Sequence, residues 1–364
     1  MTRHLYVHLP FCAHRCGYCD FVTVVGRNGR HVAYVEALLA ELELERALLA
    51  PQLETVFLGG GTPTFTEPAA LERLLAALPP AEEVTVEANP ETVTQELARM
   101  LRSAGVNRVS LGVQSFRPHL LAVLERVAQP DTVRRAFYHL RDAGFDNISF
   151  DLIYGIPGQS AADLVADLDD SLELAPEHLS CYELEAKPGT RFTHAHGAEL
   201  ERQADAMEHY FEVVVDTLTA NGYRWYETAN FCRAGGRDLR ARHNLAYWLG
   251  RDYLGLGIGA VSTVARRRWR NSPRLAAYVA ALAAGRRPER DIEELSSETR
   301  QRERVMLGLR LDEPLSVDSL ADVLDDSALV RLERLGLVRR GERTLTLTAR
   351  GRMLGGGVTA DLLA

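Results

Sequence analysis

"LYVHLPFCAHRCGYCDF", residues 5–21, decides how the rest of the chain is read. Its first half alternates apolar and polar side chains as a β-strand does. Its second half sets Cys12, Cys16 and Cys19 at spacings of four and three residues, with no fourth cysteine to close the set. A strand that runs directly into three thiols predicts a metal-binding loop at a strand end.

Outward from there the same kind of short β-branched or aromatic run recurs: "ETVFLGGG", "EVTVEANP", "RVSLGVQS", "NISFDLIYG" and "HLSCYELE". Amphipathic Ala/Leu/Glu/Arg stretches lie between the runs and predict helices near 31–49, 68–78, 91–104, 130–143 and 160–174. Six βα units predict an α/β fold with a parallel sheet and right-handed crossovers, closed into a full or partial (β/α)6 barrel of the TIM type. Past residue 190 the rhythm changes to a helix near 200–221, then "YRWYETANF", "RHNLAYW" and the glycine-rich "YLGLGIGA". From about 290 the chain reads as helices followed by a hairpin-like "LVRRGERTLTLTARG", the pattern of a winged-helix-like α+β module. The expected units are a barrel core over 1–190, an extension over 191–288 and the module over 289–364.

The chain has 364 residues, 46% of them hydrophobic, enough for a sizeable core. A net charge of −8 argues against bulk attraction to nucleic acid or anionic lipid. The start carries no long apolar run, and no segment approaches the ~18 apolar residues needed to cross a bilayer, so a cytoplasmic protein is expected. Five cysteines, three of them clustered, fit metal binding in a reducing compartment better than a disulfide framework, and Cys181 and Cys232 read as buried thiols.

Three thiolates can each hold one iron of a [4Fe–4S] cube and leave the fourth iron open to a ligand. A zinc site completed by His8 or His14 is the alternative. Barrels of this type gather functional groups at the carboxyl ends of their strands. There the sequence places "GGGTP" (Gly59 to Pro63), whose missing side chains would let a backbone approach a ligand. It also places Glu87 of "EANP", an acceptor for an ammonium group, then Gln114 and Ser115, and Asp151 ahead of "YGIPGQ", an acceptor for ribose hydroxyls. Arg126 reaches back from the following helix. Singly, each has a bland reading as a turn, a helix cap or a partner for a buried amide; together they share one rim with the cysteines.

CxxxCxYC, GGGTP, ExNP and DxIYGxPGQ together resemble the radical S-adenosylmethionine (SAM) superfamily, in its branch of oxygen-independent coproporphyrinogen oxidases and haem chaperones. The resemblance implies a [4Fe–4S] cluster on Cys12, Cys16 and Cys19. It implies SAM contacts from Gly60, Gly61, Thr62, Glu87, Gln114, Arg126 and Asp151, with Tyr18 beside the adenine. Phe21 stands where the oxidases carry a further cysteine, and the first strand begins near residue 4, leaving little room for their N-terminal apparatus. "HNLAYW", residues 243–248, is similar to the HNxxYW motif of the haem chaperones of the branch, and implies haem as cargo with His243, Tyr247 and Trp248 as its contacts. On a helix His243 and Tyr247 share one face, and Arg240 and Arg242 could meet propionates; packing of that helix against the barrel is the other reading.

The partners implied are haem and acceptor haemoproteins, with acceptors at the membrane surface and a homodimer left open. Alternatives on the same scaffold are a coproporphyrinogen oxidase, a radical methyltransferase, or an RNA-directed enzyme using the seven arginines of residues 331–352. The chain departs from the family in "LERVA" (124–128), where Glu125 and Ala128 replace the glycine and histidine of LGRxH, and at Val261, where a histidine is common.

Overall fold

The computed structural model describes residues 1–26, 29–187 and 191–363. Six strands, β1 (His4–Leu9), β2 (Leu53–Gly60), β3 (Ala81–Ala88), β4 (Arg108–Gln114), β5 (Ile148–Tyr154) and β6 (His178–Glu183), pair in chain order and all in parallel. Between them run α1 (Arg30–Glu45), α2 (Pro68–Ala77), α3 (Gln95–Ser103), α4 (Pro118–Val123), α5 (Pro130–Asp142) and α6 (Ala161–Leu174). Their limits follow local chemistry. Proline opens α2 and α5, where its missing N–H costs nothing, Thr94 caps α3, and Ser160 with Asp163 forms a capping box on α6.

The strands alternate in an uncommon sense. Leu5, Val7, Leu9, Val56, Leu58, Val86, Val109, Leu111, Ile148 and Phe150 share one core with the helices. Each contributes roughly 1.5–3 kcal/mol by leaving water. The intervening residues turn to the concave side and are mostly polar. There His4 Nδ1 meets Thr55 Oγ1 at 3.0 Å, Ser110 Oγ donates to Asp151 at 3.0 Å and Ser149 Oγ meets His178 Nδ1 at 2.8 Å. Arg108, only 2% exposed, supplies the central positive charge.

Three further strands extend the sheet. β7 (Tyr223–Trp225) pairs antiparallel with β8 (Asn230–Arg233), which pairs antiparallel with the β6 edge, and β9 (Leu254–Leu256) adds parallel to β1. Among the described residues the outer strands β7 and β9 do not pair, so the barrel is partial. The helix expected near 200–221 is two, α7 (Arg191–Gln203) and α8 (Met207–Ala220). Next come α9 (Arg242–Trp248), a small sheet of β10 (Val261–Val264), β11 (Arg267–Asn271) and β12 (Arg290–Glu294), and α10 (Leu275–Ala283). Buried Glu41 of α1 ties this region down, accepting from Gly257 N at 2.8 Å, Asn271 Nδ2 at 2.8 Å and Tyr278 OH at 2.6 Å.

The C-terminal module has its own core around Val305, Leu329, Leu345 and Leu362. It consists of α11 (Ser297–Gly308), β13 (Leu315–Ser316), α12 (Asp326–Arg334), the hairpin β14 (Val338–Arg340) and β15 (Thr344–Leu347), then α13 (Ala349–Met353) and α14 (Gly355–Leu363). β12, which follows the boundary expected at 288/289, pairs with β11. The boundary at 190 lies outside the described residues. No helix among the described residues is long and apolar enough to cross a membrane.

Candidate functional site

The cysteine loop leaves β1 through a two-residue bridge in which Phe11 pairs with Val24 and Cys12 with Val25. Fully buried Phe11, stacked on His31 with centroids 4.1 Å apart, anchors its base. The glycine loop is stitched to it, since Gly61 N donates to Leu9 O at 2.8 Å and Thr62 N to Phe11 O at 2.9 Å. Thr62 Oγ1 lies 3.6 Å from Cys12 Sγ and Arg126 Nη1 3.9 Å from Cys16 Sγ. Burial pushes the Cys12 and Cys19 thiols up.

His8 does not complete the set. One ring nitrogen meets Tyr6 OH at 3.0 Å and the other Val22 O at 2.8 Å, and burial lowers its pKa to about 4. His14 Nε2 is 2.9 Å from the Glu125 carbonyl and 3.8 Å from Cys16 Sγ. Among the described residues no three His, Cys, Asp or Glu side chains converge on a single metal-ion position.

The glycines have a more local cause than ligand approach. A Cβ on Gly60, whose φ is +109°, would stand 2.4 Å from the His8 ring, and one on Gly61 2.6 Å from the Pro10 carbonyl. The chain's own packing demands both residues.

Past the glycines sit two carboxylates, both within the field of Arg108. Glu87 accepts from Gly60 N at 3.0 Å, yet burial first and then nearby Asp151 raise its pKa to about 7. Burial raises Asp151 too, although Ser110 donates to it. A buried carboxylate in this state gains from an arriving cation. Across the cavity Arg126 donates to Asn89 Oδ1 at 2.9 Å and Gly112 O at 2.8 Å, while its Nε is buried without a partner. Asn89 Nδ2 in turn donates to Thr62 Oγ1 at 3.0 Å. Gln114 sits at a break in the β4–β5 register with φ 68°, a left-handed conformation rare outside glycine and concentrated at functional sites. Tyr18 packs edge-on to Phe192 with centroids 6.4 Å apart.

Cys12, Cys16, Cys19, Tyr18, Gly60, Gly61, Thr62, Glu87, Gln114, Arg126 and Asp151 all line one cavity of about 510 Å³ at the carboxyl ends of the strands. That is a small-molecule volume, within roughly 300–1,000 Å³. Asn89, Ser110, Tyr182 and Glu183 also line it. Asn89 had a signal in the ExNP motif; the others had none.

The comparisons with known proteins agree with this arrangement. A family model described as the radical SAM superfamily matches residues 6–170, and one for the HemN C-terminal domain matches 295–354. The Mycobacterium tuberculosis protein named Heme chaperone HemW is 38% identical over 371 residues, covering 99% of this chain and 94% of that one. The chain belongs to the HemW branch of the radical SAM superfamily. The Bacillus subtilis HemW is 34% identical over 379 residues, covering 98% of each chain. Among solved structures, coproporphyrinogen III oxidase (HemN) from Escherichia coli, a radical SAM enzyme, superposes with a TM-score of 0.82 at 25% identity, covering 99% of this chain and 90% of that one.

The HNxxYW segment of this HemW-branch chain is not part of the cavity. It forms α9, which packs against the amino ends of the barrel strands. Glu83 of β3 accepts from Arg242 N at 3.1 Å and His243 N at 3.2 Å, capping the helix. His243 is 1% exposed, and its ring nitrogens meet Thr55 Oγ1 at 2.7 Å and Tyr247 OH at 2.9 Å. Burial lowers its pKa to about 3. Both ring nitrogens are thus engaged within the chain. Trp248 lies under Arg310, whose guanidinium carbon is 4.4 Å from the ring centroid. Arg240 is paired with Asp238 and Glu313, and Arg242 with Glu82, so neither is set aside for a propionate. In this structure the His243 and Tyr247 face of α9 packs on the barrel floor.

The departures from LGRxH have visible consequences. Glu125 keeps a left-handed backbone, φ 55°, without being glycine, and Ala128 is buried where the histidine is absent. Val261 opens β10, half-buried and paired with Arg270. Of the seven C-terminal arginines, Arg331 pairs with Asp361, Arg343 with Asp318, and Arg352 stacks on Trp225.

Proposed function

We propose that the chain is a cytoplasmic haem chaperone that holds a [4Fe–4S] cluster and SAM in the cavity and carries haem to acceptor haemoproteins. The observation that carries this reading is the gathering of three cysteines and eight further motif residues around one cavity, in a chain related over nearly its whole length to proteins named haem chaperones. Cys12, Cys16 and Cys19 supply three thiolates and leave one iron open. Gly60, Gly61, Thr62 and Glu87 receive the amino end of SAM, where burial and Asp151 raise the Glu87 pKa to about 7. Arg126 and Gln114 frame the same molecule, Asp151 accepts from its hydroxyls and Tyr18 shields its base. When bound, the cluster supplies an electron and SAM a cleavable sulfonium.

The likeness to coproporphyrinogen III oxidase favours a second reading, oxidation of a porphyrinogen. Phe21, 65% exposed in place of the oxidases' further cysteine, weighs against it. Anaerobic reconstitution followed by haemin titration separates the two. Uptake of one haem per chain supports the carrier; conversion of coproporphyrinogen without stable haem uptake contradicts it.

A further inference from the structure

Gln114 reaches the cavity by a backbone path that its own side chain opposes. Its φ of 68° lies in the region that L-residues avoid. The register between β4 and β5 slips at the same point, with Gly112 opposite Asp151 and Gln114 opposite Leu152, so β4 carries one residue more than its partner. Ser115 N donates to Val113 O at 2.9 Å and closes a three-residue turn around Gln114, of the rare positive-φ kind. Such a conformation persists only where its surroundings over-determine it.

What fixes it here is a carboxylate from the helix layer. Asp167 of α6 is 1% exposed, and its two oxygens grip the two residues that leave the turn. Oδ2 accepts from Ser115 Oγ at 2.7 Å and Oδ1 from Phe116 N at 2.6 Å. Ser115, buried as well, accepts from Arg117 N at 2.9 Å, and Arg117 Nε stands 3.4 Å from Asp167 Oδ1. An acid buried this deeply is costly to keep on a helix face where leucines pack, unless the bonds it accepts are needed. Neither Asp167 nor Ser115 lines the cavity, whereas Gln114 does.

On the cavity side the turn throws the Gln114 carboxamide back over Gly112. A Cβ on Gly112 would stand 3.0 Å from Gln114 Nε2, 3.2 Å from Asn89 Oδ1 and 3.6 Å from Arg126 Nη2. Three polar groups therefore converge over one residue that has no side chain, and a regular β4 would not deliver the first of them.

We propose that Asp167 is a positioning residue for the SAM site: by gripping Ser115 and Phe116 from α6, it holds Gln114 in the turn that brings its carboxamide to the ligand beside Asn89 and Arg126. The inference rests on the SAM reading of the cavity and deepens it, adding a side chain that acts on the ligand only through another.

The test is a double-mutant cycle on SAM affinity, measured by anaerobic equilibrium dialysis on the reconstituted full-length protein, with the EPR intensity of the reduced cluster as the check on loading. Gln114→Ala and Asp167→Asn each weaken binding by about tenfold, the loss of one hydrogen bond to the ligand. The double variant is also weakened by about tenfold, rather than by about a hundredfold, because both changes act through one carboxamide. Ser115→Ala removes one of the two grips and weakens binding less than Asp167→Asn; paired with Gln114→Ala it supplies the same cycle should the Asp167 variant fail to fold. Wild-type protein with a full cluster signal that takes up no SAM sinks the SAM reading itself. Wild type that binds SAM, with Asp167→Asn and Ser115→Ala at wild-type affinity, or with losses that multiply in the double variants, overturns this inference alone.

Discussion

Replacing Glu87 by glutamine should remove the pH dependence of SAM binding. In the free cavity burial and Asp151 hold the Glu87 pKa at about 7, against 4.5 for an ordinary glutamate. An ammonium group beside it favours the ionised form, so binding at lower pH must expel a proton. The sign follows: affinity is full above about pH 7 and is lost as pH falls through that value. Affinity scales with the ionised fraction, so SAM should bind about tenfold more weakly at about pH 6 than at about pH 8. Glu87→Gln should flatten that profile and weaken binding at the higher pH by roughly 10- to 100-fold, the worth of a charge-assisted hydrogen bond of about 1.5–3 kcal/mol. Anaerobic equilibrium dialysis with labelled SAM across this range reads both effects. A wild-type profile without slope, or a glutamine variant with the wild-type slope, would refute the assignment of Glu87 to the cationic end of the ligand.

Three other substitutions test the framework. Gly60→Ala meets both a forbidden φ and the His8 ring, so urea denaturation should show a loss of more than about 2 kcal/mol together with poor iron incorporation; a variant of wild-type stability would contradict the packing account. Glu125→Gly relieves a left-handed non-glycine residue and should raise stability by up to about 1 kcal/mol in the same measurement, whereas an unchanged midpoint would show that the Glu125 side chain repays the strain. His243→Ala removes a buried ring and orphans the Thr55 hydroxyl, so the haem-free protein should lose about 2 kcal/mol or more. Full stability in that variant would mean the histidine is kept for a ligand and not for the barrel floor.

The barrel was legible because parallel strands and crossover helices leave strong, separate periodicities, and the six expected strands are the six observed. The rim was legible for a related reason. Cys12, Gly60 and Gln114 each close a strand and Glu87 is next to last in β3, and parallel pairing brings all such ends to one side; Asp151, expected at a strand end, stands inside β5, which runs on to Tyr154. β9 was not legible, because "LGL" carries no strand signal of its own; its docking on β1 depends on distant Glu41, which the sequence sets more than 200 residues away. The orientation of α9 was hidden as well. Its motif states which side chains share a face, but Glu83, which caps the helix and turns that face inward, lies 160 residues earlier.

The most direct test of the account is EPR of the reduced, anaerobically reconstituted protein with and without SAM. A [4Fe–4S] signal that shifts on adding SAM, and that is absent when Cys16 is replaced by alanine, is the predicted result. Stoichiometric zinc in place of iron, or a cluster signal unmoved by SAM, would contradict it.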